Sequence, residues 1–332
     1  MRAFMAPRRS LSTSTAAVKL VTYSMRSSKT GKQSIGVLLN NDESILPLKN
    51  IPSLGRKDIA SMQSFIELSG LAGVEKIKRH ISTKPELLLP ALLVKTKKAI
   101  IHAPLPVPLR NVMCVGKNYS DHVAEVKRAE SARPGSTTAS AIGGDAPAFP
   151  VFFTKAPNCV IGYGSPIESH SKITKWLDWE AELAVIIGKC GTNIPKDQAM
   201  DYVFGYTIAN DVTARELQKK HGQWFKGKTL DGSCPLGPSI VPACSLNPHD
   251  LSIRLSVNSV VKQNSRTSKM IHDIPSIISS LSEGFTLRPG DVILTGTPDG
   301  VGFARSPPEV LKTGDVIEIE IEGLGRLKNP VV

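Results

Sequence analysis

Residues 177–188 read LDWEAELAVIIG. Asp178, Glu180 and Glu182 alternate with Trp179, Ala181 and Leu183, and an unbroken apolar run follows. Its length and composition suit a buried strand, and on a strand residues two apart share a face. The three acids therefore line one side, with Trp179, Ala181, Leu183 and Val185 on the other. Carboxylates held this close repel one another and are costly to bury without a partner. Either the acid face is solvated, or its oxygens converge on a hard cation of the Mg²⁺ or Ca²⁺ class.

A further carboxylate bears on that choice. FGYTIANDVTAR (204–215) reads as a strand ending at Asp211, just before a helical TAREL segment. A carboxylate at the lip of a sheet is placed to complete a cation site. The chain has no His/Cys cluster with zinc-type spacing, which disfavours zinc.

The surrounding sequence is rich in strand signals. Lys19–Met25 and Ser34–Asn40 flank a polar break and suggest a hairpin. Further strands are expected in PVFFT, LSIRLSVN, VVKQ, DVILTGT and DVIEIEIEG. Helices are expected over TARELQKKHG, over IPSIISSLSEG and from about Ser120–Asp121. Residues 59–81 have helical spacing that Gly70 and Gly73 should interrupt. Prolines at 90, 104, 106 and 108 suggest an extended connector. The expectation is a β-rich α+β protein, with a small β-rich domain over 18–103 and a roll or barrel over 104–332.

Composition narrows the function classes. The 332 residues carry a net charge of +12. The first 41 hold seven Lys/Arg and no acid, so the remainder is 34 basic against 29 acidic residues. The excess is a property of the N-terminus and gives no reason to expect nucleic acid. No apolar stretch is long enough for a membrane-spanning helix. Five cysteines without a CxxC pair predict free thiols. The acid-free, Ser/Thr-rich and Arg-containing start suggests a mitochondrial presequence over 1–17, with a basic tail as the alternative. Residues 129–148 are small and polar, as expected of a surface loop or a lid.

With these pieces in order, the sequence resembles the fumarylacetoacetate hydrolase superfamily. The likeness is carried by DWEAELAVIIGK, ANDVTAR, WFKGKTLDGSCPLGP and LTGTPDGVG, and it runs from about Lys19 to the C-terminus. The sequence is similar in particular to mitochondrial members assigned as oxaloacetate tautomerases. The resemblance implies that Glu180, Glu182 and Asp211 bind Mg²⁺, with Mn²⁺ or Ca²⁺ as alternatives, and that Asp178 is a neighbour of the site. It implies that NYSDHVAEV carries a catalytic His122–Glu125 pair. It places Lys155, Arg215, Gln218 and Thr297 on the substrate and Lys228 among the catalytic residues. A His and a Glu three residues apart share a helix face, an arrangement also common on plain surface helices. The implied enzyme acts on a small 2-oxo diacid, as a matrix homodimer. Its expected reaction is enol–keto tautomerisation of oxaloacetate. The alternatives are acylpyruvate hydrolysis, oxaloacetate decarboxylation or a non-catalytic scaffold. The 129–148 stretch is longer and looser than the family pattern, which bears on how the site closes.

Overall fold

The structure is a computed structural model describing residues 17–39, 42–54, 59–83, 89–131 and 146–332. The presequence expectation falls almost wholly outside the described residues, as does the 132–145 part of the polar loop. In chain order the early strands are β1 (Lys19–Met25), β2 (Ser34–Leu39), β3 (Ser44–Pro47), β4 (Val94–Lys95), β5 (Ala99–Ile101) and β6 (Val112–Gly116). Next come β7 (Val151–Lys155), β8 (Val160–Ile161), β9 (Leu177–Asp178), β10 (Ala181–Ile187), β11 (Val203–Asn210) and β12 (Thr213–Ala214). The last are β13 (Cys234–Pro242), β14 (Ser252–Val257), β15 (Val260–Arg266), β16 (Val292–Leu294), β17 (Val316–Ile321) and β18 (Gly325–Pro330). The helices are α1 (Met62–Leu68), α2 (Gly70–Thr83), α3 (Ser120–Ser131), α4 (Arg215–Lys220), α5 (Phe225–Lys228) and α6 (Ile274–Ser282). The fold is mixed and strand-rich.

A large sheet runs β4-β3-β2-β1-β13-β11-β10-β16-β6-β7, and a four-stranded sheet runs β15-β14-β17-β18. The N-terminal strands join the rest where β1 meets β13, with Leu20 opposite Ile240. β10 lies in the interior of the large sheet, antiparallel to β11 and β16, and all seven of its residues are buried. Burial on both faces is why the run after Glu182 has no polar alternation. Leu183, Val185, Tyr206 and Ile208 pack with Ile253, Leu255, Ile317 and Ile319 of the smaller sheet. Ala184, Ile186 and Phe204 pack the other way, with Phe65, Val74 and Ile77 of α1 and α2.

The helical stretch after residue 59 departs from expectation at one glycine. Gly70, with φ +51°, opens α2 one residue after α1 ends, whereas Gly73 lies inside α2. A Cβ there would come within 3.0 Å of the Phe65 ring, so Gly73 serves close helix packing. All five cysteines are free. Among the described residues no helix is long and apolar enough to cross a membrane.

Candidate active site

The even-numbered face of β10 changes character at its N-terminal end. Ala184 and Ile186 join the apolar core, whereas Glu182 and Glu180, one and two strand steps earlier, open a buried polar site. The neighbouring strand supplies Asp211 immediately after its last residue. The Asp211 N–H donates to the Glu180 carbonyl at 2.9 Å, and the Asn210 side-chain oxygen accepts from the Glu180 N–H at 3.0 Å. Ladder register thus brings the three carboxylates together, with ligand oxygens within 4.8 Å of one another.

Cations from three separate elements cover this cluster. Lys228, ending α5, donates from Nζ to Glu180 Oε2 and Asp211 Oδ2, each at 2.7 Å. Lys155, ending β7, donates to the Val212 carbonyl at 3.0 Å. Its Nζ also lies 2.9 Å from Asp211 Oδ1, an ion pair outside hydrogen-bonding angles. Arg215, opening α4, reaches Asp178 Oδ2 through Nε at 2.9 Å and Glu180 Oε1 through Nη2 at 2.7 Å. Its Nη1 donates to Gln218 Oε1 at 3.3 Å, and its guanidinium stacks over Phe303 at 4.4 Å. Lys155, Arg215, Gln218 and Lys228 are all buried.

Electrostatics separates the acids. Burial works to raise Glu180, but Lys228 and Arg215 overcome it and hold its carboxyl at about 2. Glu182 is pushed well above the usual carboxylate range by burial and by the charges of Asp211 and Glu180. The Gly296 N–H, 2.6 Å from Glu182 Oε2, only partly offsets this. Burial alone would depress the Lys155 ammonium, yet Asp211 lifts it above the usual lysine range.

The charge count favours a further cation. When all four are ionised, Asp178, Glu180, Glu182 and Asp211 outnumber Arg215, Lys155 and Lys228 by one charge, and a cation at Glu182 offsets the repulsion that raises it. Among the described residues no ion pair meets Glu182. An all-oxygen donor set with an underneutralised carboxylate fits a hard divalent cation, with Glu180, Glu182 and Asp211 as ligands. No thiol or imidazole is part of the set, a donor chemistry that suits a hard cation better than zinc.

His122 and Glu125 lie on α3, one turn apart, with His122 Nδ1 2.9 Å from Glu125 Oε1. Glu125 also accepts from Gly300 N–H at 2.8 Å. As an ionised carboxylate can only accept, the imidazole proton belongs on Nδ1, which leaves Nε2 with the lone pair. Through Glu125 the pair is tied to the turn at Gly300, three residues after Thr297.

Thr297 enters through a residue that the motifs do not mark. Gln263, buried on β15, donates to Thr297 Oγ1 and the Pro298 carbonyl, each at 2.8 Å. Its Oε1 accepts from the Ala181 N–H, between two candidate ligands, at 2.9 Å. The Thr297 turn is thereby tied to the acid strand. The available sequence signal is Gln263's strand parity with Ser265, which is buried too. Asp178 is the other surprise. Buried and outside the Glu180–Glu182–Asp211 triad, it accepts from the backbone N–H groups of Trp179, Gly302 and Phe303 at 2.8, 2.7 and 3.1 Å.

Comparisons with known proteins agree with this geometry. The family model for the fumarylacetoacetate (FAA) hydrolase C-terminal region matches residues 111–332. The chain is 38% identical over 331 residues to a Xenopus laevis protein named oxaloacetate tautomerase fahd2, mitochondrial, covering 98% of this chain and 94% of the relative. It is 45% identical over 249 residues to oxaloacetate tautomerase YisK of Bacillus subtilis, covering 75% and 78%. A solved fumarylacetoacetate hydrolase from Exiguobacterium antarcticum superposes with a TM-score of 0.74 at 36% identity, covering 95% of this chain and 99% of that one. The fold, the buried carboxylate triad and these likenesses together mean that the chain is an enzyme of isomerase or hydrolase type belonging to the fumarylacetoacetate hydrolase family.

Proposed function

We propose that this enzyme is a Mg²⁺-dependent oxaloacetate tautomerase. The observation that carries the proposal is the cluster of Glu180, Glu182 and Asp211, buried under Lys155, Lys228 and Arg215. A divalent cation turns its net charge from one negative to one positive, which suits a small dianion. The names of the Xenopus and Bacillus relatives support the choice of substrate.

When bound, the cation supplies Lewis-acid polarisation of the substrate's ketone or enol oxygen. The protein contributes the rest. Lys155 and Lys228 present fixed ammonium groups, and Arg215, with Gln218 hydrogen-bonded to it, completes a cationic wall that favours the more highly charged enolate over the keto and enol forms. The Thr297 hydroxyl, held by Gln263, offers a further polar contact. Tautomerisation removes the enol O–H proton and adds a proton at the neighbouring carbon. His122 Nε2 is the group to carry it, and Glu125 stabilises the imidazolium formed on the way. Burial keeps bulk water from competing for the enolate.

The test is proton NMR of the full chain with freshly dissolved enol-oxaloacetate and Mg²⁺, set against an enzyme-free control. Enol-to-ketone conversion faster than the control, without added pyruvate, is the expected result. Pyruvate growth above the control would instead make the protein a decarboxylase. A null result, together with cleavage of an acylpyruvate, would replace the reading with hydrolysis. The His122–Glu125 pair favours this second reading specifically, since the same base can activate a water.

We propose a mitochondrial location from the N-terminal composition and the mitochondrial Xenopus relative. A homodimer is proposed from the family resemblance.

A further inference from the structure

Four successive backbone N–H groups lie at the turn following Asp299, and two carboxylates divide them. Gly300 and Val301 donate to Glu125, at 2.8 and 3.5 Å. Gly302 and Phe303 donate to Asp178, at 2.7 and 3.1 Å. The second carboxylate is also the main anchor of Arg215, whose Nη2 lies 2.7 Å from Glu180 Oε1. The Phe303 ring then stacks on that same guanidinium. The approach is tight: a Cβ on Gly302 would come within 2.6 Å of Asp178 Oδ1 and 2.4 Å of the Glu309 carbonyl. Asp178 therefore touches both halves of the site without entering either.

We infer that Asp178 is a positioning residue that holds the proton-transfer pair and the cation-binding carboxylates in register. One arm runs through Arg215 to Glu180. The other runs through the 300–303 backbone to Glu125 and so to His122. The two arms end on groups that must meet one substrate, and displacing either by about 1 Å is enough to cost on the order of 10²-fold in rate. This explains the odd member of the alternating acids: Asp178 lies on β9, paired with β12 rather than in the β10 sheet, and it serves a turn 124 residues away.

The activity part of the test rests on the tautomerase reading, and the spectroscopic part does not. Asp178→Asn keeps size but turns one acceptor oxygen into an amide donor and loses the charge that anchors Arg215. The His122 ring nitrogen resonances, assigned by their loss in His122→Gln, are measured in the full chain without substrate. In Asp178→Asn they should shift in the direction seen in Glu125→Gln. With enol-oxaloacetate and Mg²⁺, kcat should fall about 10- to 100-fold with KM within about threefold. The double variant with Glu125→Gln should fall no more than about threefold below the worse single variant, because both act through one turn. Unchanged His122 resonances in a folded Asp178→Asn protein would overturn the inference, as would full additivity in kcat. Asp178→Glu provides a second probe if Asp178→Asn does not fold. Its extra methylene presses on Gly302, and wild-type resonances there would likewise reject the role. If the wild-type chain shows no tautomerase activity, the function proposal fails while the His122 comparison still decides this one.

Discussion

Two strands of this protein carry nearly the same pattern of acids and have different fates. Glu180-Ala181-Glu182 leads into β10, and Glu318-Ile319-Glu320 lies within β17. In β17 the alternation has its ordinary meaning. Ile317, Ile319 and Ile321 face the core, while Glu318 and Glu320 stay 31% and 46% exposed beside Arg326 and Lys328 at 3.4–3.7 Å. Such surface pairs contribute little. In β10 both faces are covered; Glu180 and the adjoining Asp211 have Lys155, Lys228 and Arg215 within 3 Å, while Glu182 accepts from the Gly296 N–H. Alternation reports that the acids share a face. What covers that face decides whether they are solvated or hold a cation.

The contrast is open to attack by experiment. Glu180→Gln should lower Mg²⁺-dependent activity by more than about 10²-fold, as removal of a group that stabilises transition-state charge does. Chelation with EDTA should match it in wild type, whereas Glu318→Gln should leave steady-state rates unchanged. Activity in the presence of EDTA would sink the cation site.

Lys228→Met removes the cation shared by two buried carboxylates and should destabilise the metal-free protein by about 3–5 kcal/mol in denaturant titration. Mg²⁺ should recover part of that loss, since ligand binding adds stability by mass action, about 2.7 kcal/mol at a hundredfold excess over Kd. A loss that Mg²⁺ cannot offset would mean that Lys228 serves packing alone.

The two glutamates of the motif should respond oppositely to pH. The folded protein holds Glu180 at about 2, below its ordinary value of 4.5. Its contribution is therefore complete above about pH 4.5 and lost as pH falls toward 2. The stability gap between metal-free wild type and Glu180→Gln should close over that range. Glu182 is raised, so in the metal-free protein its ionisation works against folding as pH climbs above 4.5. At neutral pH, Glu182→Gln should raise the metal-free melting temperature by about 2–4 °C per kcal/mol of repulsion relieved, and it should abolish Mg²⁺ binding. A lower melting temperature would show that Glu182 already has a compensating partner.

The smallest effect belongs to β17. Glu320→Gln should change stability by less than about 0.5 kcal/mol in the same titration. A larger loss would mean that the outer sheet face is covered by something.

Much of the site could be read before any coordinates. Residue type and a period of two placed Glu180 and Glu182 on one strand face, and the strand end placed Asp211 at the lip. The spacing of one helical turn put His122 and Glu125 on one face, but only the family resemblance marked them as a pair with a role. The family motifs added Lys155, Arg215, Gln218, Lys228 and Thr297, whose isolated lysines and amides carry no local signal of function. Other features stayed hidden. Gln263 looks like any polar strand residue until its side chain meets Ala181, 82 residues away. Gly73 looks like a helix breaker until Phe65 packs against it.

The sequence by itself determined which residues share a face, because strand and helix periods are local properties of the backbone. It determined the strand-rich class as well, through the number and character of its apolar runs. Only the tertiary structure decided which acid face is buried under cations, and that Asp178 binds a turn while Glu182 joins Glu180 and Asp211 in one buried cluster. Those outcomes depend on contacts between segments 37 to 124 residues apart, such as Arg215 and Gly302 on Asp178. No local period encodes them; packing brings those groups together.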